Sequence, residues 1–286
     1  MRPIVVTGAK GFIGSSLVPR LAAHSPVCAC DFGTVPASTP EVTWLSLDLS
    51  RPLDTSALPE SPKSVVHLAQ SMHHREFPER ARDLFAVNVA STFDMLEYAR
   101  TAGAEAFVFA SSGVCGPSEG PIAEEAPLAP SNFYLRTKAA CEILAGEYAS
   151  FFNVALLRFF FPYGPGQRNR LIPDVIARVR EGREVLLTGG DGLRLCPMYI
   201  DDVAESIARA LTVSGLNMLN VAGREAVSLR ELAETIGDII GKTPTFDEQP
   251  GAAPSFIADT RRMDAVLGRW ERVGLAKGLE RTIAGD

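Results

Sequence analysis

The sequence predicts a doubly wound α/β fold, a mostly parallel sheet with helices on both faces. Three observations point there. Short apolar runs alternate with longer helix-forming stretches up to about residue 160, the pattern of repeated strand–helix–strand units. The first apolar run passes directly into a glycine turn and then a helix-forming segment,. Acids and hydroxyls recur at the ends of the runs, the edge where such sheets place their ligands.

Size and composition bound what this fold can do. The chain has 286 residues, 46% of them hydrophobic, enough for one large or two modest domains with a substantial core,. Its formal net charge is −6 and no run of Lys and Arg occurs, which gives no support for a nucleic-acid surface,. No apolar stretch is long enough to span a bilayer,. The N-terminus enters a core-like strand at once, without a charged leader and apolar signal region,. Cysteines 28, 30, 115, 141 and 196 are odd in number and lack metal-ligand spacing, so they read as free thiols in a reducing cytosol,. The expectation is a cytoplasmic protein without metal, nucleic-acid or membrane partners.

Taken in order, residues 3–7 read as a buried strand and Gly8-Ala-Lys-Gly11-Phe12-Ile13-Gly14 as the turn into the first helix. Backbone N–H groups at such a turn favour a pyrophosphate, and glycines let it approach. The second strand, 27–31, ends in Asp31, twenty residues after Gly11, where a carboxylate can accept from adenosine ribose hydroxyls,. Residues 32–34 carry no Arg or Lys, which favours NAD over NADP. A third strand ends near Asp48 and Leu49, and Asp48 could meet an adenine amino group. A fourth, 64–70, ends in Leu68 and Ala69, small or apolar residues against which a cofactor could lie. His67 reads as a packed strand residue, and His73 and His74 fall in a polar loop. A long helix is expected over 78–102; its Asn88, among apolar residues, is either a satisfied core amide or a link between cofactor loops.

The fifth strand runs into Ser111 and Ser112 at the sheet's carboxyl edge. The stretch from Ser131 to Lys138 then sets Tyr134 four residues before Lys138, on one face of a helix capped by Ser131 or Asn132,. A fixed cation near a phenol favours the phenolate and brings its ionisation towards neutrality, where proton transfer is useful. A sixth strand starts at Asn153. Beyond it the pattern loosens, with helices near 172–182, 201–213, 228–241 and 261–268 and a strand near 217–221. The expected division is 1–160 as the nucleotide-binding domain and 161–286 as a smaller, discontinuous region covering the sheet's active edge. A segment at about 200–222 returns to the first domain.

Together these motifs resemble the extended short-chain dehydrogenase/reductases, in particular the NAD-dependent nucleotide-sugar epimerase/dehydratase group, which have a Rossmann fold. The resemblance rests on Thr7-Gly8-x-x-Gly11-x-x-Gly14, Asp31, Asp48-Leu49, His67-Leu68-Ala69, Asn88, and Ser111 to Gly116. It continues through Tyr134-x-x-x-Lys138, Arg158-x-x-x-x-Tyr163-Gly164-Pro165, Gly190-Asp191-Gly192 and Tyr199 to Val203. It implies that Tyr134 is the general acid/base, Lys138 its partner and a ribose ligand, and Ser111 the third catalytic hydroxyl; counting back three from Val114 selects Ser111 over Ser112. It implies that Gly8, Gly11, Phe12, Ile13, Gly14, Asp31, Asp48, Leu49, Leu68, Ala69, Asn88, Tyr134 and Lys138 hold NAD.

Three departures bear on substrate. The Asp-Glu pair that the family's dehydratases place after the catalytic Ser/Thr is replaced by Ser112 and Gly113, which argues against dehydration. Phe161 stands where the family often has Asn, and the usual Arg after Gly-Asp-Gly is displaced to Arg194. Ser112, Phe161 and Arg194 are the candidate substrate positions. The leading expectation is an NAD-dependent epimerase of a nucleotide sugar, acting at C4 through a transient 4-keto sugar. The alternatives are an NAD-dependent dehydrogenase or reductase of a sugar or other carbonyl substrate, and a non-catalytic NAD-binding protein. Helices at 78–102 and 132–152 could pair across a two-fold axis, as is common in the family, so a homodimer is expected.

Overall fold

The structure, a computed structural model, describes residues 1–285. The six apolar runs of the first half form β1 (Ile4–Thr7), β2 (Val27–Asp31), β3 (Val42–Ser46), β4 (Ser64–His67), β5 (Ala106–Ser112) and β6 (Asn153–Phe159). β1 and β4 are buried at every position, as strands covered on both faces must be. Between the strands lie α1 (Phe12–Ala22), α2 (Ala81–Phe85), α3 (Ser91–Thr101) and α4 (Phe133–Glu147). Asn132 caps α4: its side chain accepts from the N–H of Leu135 at 2.9 Å,.

The long helix expected over 78–102 is interrupted. Residues Ala86–Ala90, between α2 and α3, wind as a π-helix, a form concentrated at functional sites. Buried Asn88 sits in that turn.

The second half contributes β7 (Pro162–Tyr163), α5 (Leu171–Glu181), β8 (Val185–Thr188), β9 (Arg194–Leu195), β10 (Met198–Tyr199) and α6 (Ile200–Ala210). There follow β11 (Leu216–Val221), β12 (Val227–Ser228), α7 (Leu229–Ile240), β13 (Phe246–Gln249), β14 (Ser255–Phe256), α8 (Arg261–Leu267) and α9 (Leu275–Ala284). Ser228 and Glu231 close a capping box at the start of α7,. The short strands carry little periodic signal and are absent from the sequence reading, as is α9, although Leu275, Leu279 and Thr282 bury one face of it.

The main sheet has seven strands in the order β11-β6-β5-β4-β1-β2-β3. β3-β2-β1-β4-β5 pair in parallel. The direction of strand succession reverses between β1 and β4, the position where doubly wound sheets open a crevice at the strands' carboxyl ends.

Two compact units share the chain. The first comprises residues 1–115, 127–158 and 204–219; the second comprises 116–126, 159–203 and 220–285. In the first, Phe107 and Phe109 of β5 share a buried core with Met95 and Leu96 of α3, Cys141 and Ala145 of α4, and Val154 and Leu156 of β6. In the second, β9 is flanked by β12 and β14, and β8 pairs in parallel with β13. All five cysteines are free and buried. Among the described residues no helix is long and apolar enough to cross a membrane.

Candidate active site and cofactor cradle

The glycine turn closes over the reversal point. Gly8 has a left-handed φ of +67°, and a Cβ there would lie 2.8 Å from the backbone N of Ala69, at the end of β4. A Cβ at Gly14 would meet the Gly8 carbonyl oxygen at 2.3 Å. Both positions therefore demand glycine. Gly11 is the N-cap of α1, and no side chain caps that end. The helix's first N–H groups stay available to an anion, the use such turns have in dinucleotide folds. Phe12 and Ile13, half-exposed, begin the helix.

Asp31 ends β2 beside this turn. Its carboxylate accepts from the Lys10 N–H at 2.7 Å and the Phe32 N–H at 2.8 Å. A carboxylate with two such bonds keeps lone pairs for ribose hydroxyls. Residues 32–34 carry no cation, but the turn supplies one that the linear reading missed: Lys10 Nζ lies 3.8 Å from Asp31 Oδ1. That ammonium also donates to the carbonyls of Phe32 at 2.6 Å and Thr34 at 2.7 Å, tying the turn to the end of β2. Asp48 accepts from the N–H and hydroxyl of Ser50, and the hydroxyl bond holds it below the usual carboxylate range. Leu49 is buried, whereas Leu68 and Ala69 are half-buried. Their N–H groups bond the Thr7 carbonyl and hydroxyl, at 3.2 and 3.3 Å. These residues fit a dinucleotide: a turn open to backbone approach, uncapped helix N–H groups, and an acid at the second strand's end.

Tyr134 stands in the first turn of α4. Its hydroxyl donates to the side-chain carbonyl of Gln70 at 2.7 Å, and the His74 ring meets its ring edge-on with centroids 5.7 Å apart. Lys138 is 2% exposed. Its Nζ donates to the Ala110 carbonyl at 2.8 Å and lies 4.9 Å from the Phe109 ring centroid and 5.9 Å from that of Tyr134. Burial pushes its ionisation down to about 8, because removal from water penalises the charged amine.

Asn88 is both core amide and link. Its Oδ1 accepts from the Ser71 N–H and its Nδ2 donates to the Thr137 hydroxyl, each at 2.8 Å, joining the loop after β4 to α4. His67 is fully packed, with Nδ1 2.7 Å from the Thr7 hydroxyl, and burial pushes it down to about 3, so it stays neutral.

Ser111 is drawn into the packing of α4. It is 5% exposed, and its hydroxyl donates to Glu142 at 2.5 Å. Glu142 in turn pairs with Arg158 through two bonds of 2.7 and 2.9 Å. The reason is strand alternation: residues 107, 109 and 111 share one face of β5, and Phe107 and Phe109 are core residues packed with α3 and α4. Ser112 faces the other way and is partly exposed. Counting from Val114 selects Ser111; strand alternation from the two phenylalanines sets Ser111 on the core face and Ser112 on the other.

Phe161 and Arg194 belong to the second unit. Phe161 holds a left-handed φ of +46°, rare for a bulky residue, and its ring meets Phe256 edge-on at 6.4 Å,. Arg194 opens β9 with its side chain exposed and its N–H on the Pro254 carbonyl at 2.9 Å. Lys10 and Gln70 are the residues that sequence reasoning passed over; only the tertiary contacts reveal them.

A model of the NAD dependent epimerase/dehydratase family matches residues 4–222. The chain is similar to the dTDP-4-dehydro-6-deoxy-D-allose reductase of Streptomyces bikiniensis, at 30% identity over 98% of this chain and 95% of the relative. It is also similar to the UDP-glucose 4-epimerase of Mycolicibacterium smegmatis, at 29% identity over 98% and 96%. Among solved structures it is similar to MoeE5 in complex with UDP-glucuronic acid and NAD, at 30% identity, a TM-score of 0.83, and coverage of 99% and 98%.

Proposed function

Because the chain belongs to the NAD-dependent epimerase/dehydratase family, we propose that it is an epimerase of a nucleotide sugar, acting at C4. One observation carries this reading: a tyrosine whose hydroxyl is engaged in proton donation stands a helical turn from a buried ammonium. The glycine turn, Asp31, Asp48 and the end of β4 are the groups that would hold NAD. When bound, NAD supplies the hydride acceptor and donor.

The protein's own part is proton transfer and positioning. Tyr134 takes the proton of the sugar's 4-hydroxyl and later returns it. Lys138 lowers the cost of the phenolate by its charge. Its remaining N–H groups are free of the Ala110 carbonyl and suit ribose hydroxyls. Ser112, partly exposed at the end of β5, is the hydroxyl we assign to the substrate oxygen in place of Ser111. With either serine, no Asp-Glu pair follows, so water elimination lacks its acid and base. Phe161 and Arg194 are the positions we assign to choice of sugar nucleotide.

The test uses purified protein with a panel of UDP- and dTDP-sugars. The expected result is conversion of one of them to its C4 epimer without added NADH, and loss of that conversion in Tyr134→Phe. A second reading, a net reductase of a keto sugar, is favoured by the phenol already sitting as a donor and by similarity to a dTDP-sugar reductase. It prevails if every sugar is returned unchanged while added NADH is consumed against a keto substrate. We further read exposed Phe85, Phe93, Ile143 and Phe151 as the face of a homodimer. A monomer in sedimentation at micromolar concentration would exclude it.

A further inference from the structure

The loop after β4 reaches the acid–base residue with a side chain that proton transfer does not require. Gln70 is half-buried, and its Oε1 is the acceptor for the Tyr134 hydroxyl at 2.7 Å. The loop is fixed on both sides of that contact. Next in sequence, the Ser71 N–H binds Asn88 Oδ1; Asn88 Nδ2 binds Thr137 Oγ1, each at 2.8 Å; and the Thr137 hydroxyl donates to the Tyr134 carbonyl at 2.7 Å. Hydrogen bonds and one peptide link therefore form a closed circuit that starts and ends on Tyr134. Further along, Ser71 also bonds Asp83, and the Phe77 ring stacks on Phe133, the residue before the tyrosine, at 4.6 Å. The backbone that carries Gln70 is thus held where its side chain reaches the phenol.

This has a chemical consequence. A phenol can donate to an amide carbonyl; a phenolate cannot, and would face a second acceptor at the same distance. A hydrogen bond that requires the neutral form favours it. Lys138 acts in the opposite sense. We propose that Gln70 is a positioning residue for Tyr134, holding it as a proton donor until substrate or a turn of the amide releases it. The inference rests on reading Tyr134 as the acid–base group. This contact makes the resting enzyme ready to protonate a substrate oxygen, and it delays the phenolate needed to take a proton from an alcohol.

The phenol can be watched without any substrate. The chain has five tyrosines. Burial holds Tyr98, Tyr163 and Tyr199 above the ordinary phenol range, and Tyr148 at about 12. The step of the tyrosinate ultraviolet titration that Tyr134→Phe removes is the one that belongs to Tyr134. In the cofactor-loaded protein, Gln70→Met, similar in size but without an acceptor, should move that midpoint down by about one pH unit. Gln70→Glu should move it up. With an identified substrate, the acid limb of the oxidative kcat/KM should shift with the Met variant by the same amount, about tenfold in rate at fixed acid pH. An unchanged midpoint in Gln70→Met, or a shift of both variants in one direction, overturns the proposal. If Tyr134→Phe leaves turnover of an identified substrate intact, the reading of Tyr134 itself falls, and this inference with it.

Discussion

Two cations are buried against α4, and they are treated differently. Arg158 is 2% exposed and fully matched: Nε and Nη2 meet both oxygens of Glu142, and Nη1 reaches the Cys115 sulfur at 3.5 Å. Lys138 is as deeply buried, yet the hydrogen bond that holds it is to one backbone carbonyl, and burial lowers its ionisation to about 8. Removing charge from water costs several kcal/mol per ion unless a partner offsets it. Arg158 has that partner and is committed to holding β6 against α4. Lys138 has no carboxylate in an ion pair among the described residues; on the function proposed above, its field serves the phenol and its protons a ligand. The two serines repeat the contrast. Ser111 belongs to the matched pair, and Ser112 is left open. Close burial with matched charges marks structure here, and the buried charge without an ion pair is where the proposed chemistry sits.

The comparison breaks most readily at Lys138. Lys138→Met should lower turnover by about a hundred- to ten-thousand-fold, with a midpoint of urea unfolding equal to or above that of the parent. A large loss of stability instead would make the lysine a scaffold residue. Next in size is Glu142→Gln. It leaves a buried guanidinium without its counter-charge and should cost about 3–5 kcal/mol in urea unfolding, with turnover per folded molecule largely kept. If turnover vanishes while stability holds, the two cations exchange roles.

The smallest effect is a pH slope. Lys138 titrates at about 8 in the folded protein against an ordinary 10.5. Between those values the unfolded chain holds the extra proton, so stability rises with pH across this window. The penalty is fully present below pH 8 and relieved towards 10.5, by up to about 3 kcal/mol. The advantage of Lys138→Met over the parent in urea unfolding should shrink accordingly. An advantage that is flat with pH would mean that the lysine is not desolvated.

Local signals carried much of this into the sequence. Apolar runs bounded by turns gave β1 to β6; all but the edge strand β3 are mostly buried, and such a strand is legible without knowing its neighbours. Tyr134 and Lys138 were legible because helical spacing alone puts them together, and Asn132 because a cap acts within one turn. What was hidden depends on partners far along the chain. Lys10 reads as a solvated turn residue until β2 arrives beside it, and Gln70 as the end of a strand until α4 does. Ser111 and Ser112 differ only in which face of β5 they occupy. The π turn at Ala86–Ala90 was invisible because its residues are good helix formers; its geometry accompanies the contacts Asn88 makes outside the helix.

The division of the chain into interleaved segments has a consequence for handling the protein. The first unit needs residues 204–219, which include most of its edge strand, and the second needs 116–126 from within the first half. No single cut liberates either unit with all its parts. A fragment ending near residue 160 would lack β11 and bare the side of β6 that β11 covers, an invitation to aggregate. Ribosomal synthesis must run well past the midpoint before either unit can close, so this enzyme should be produced, dissected and engineered as one indivisible piece.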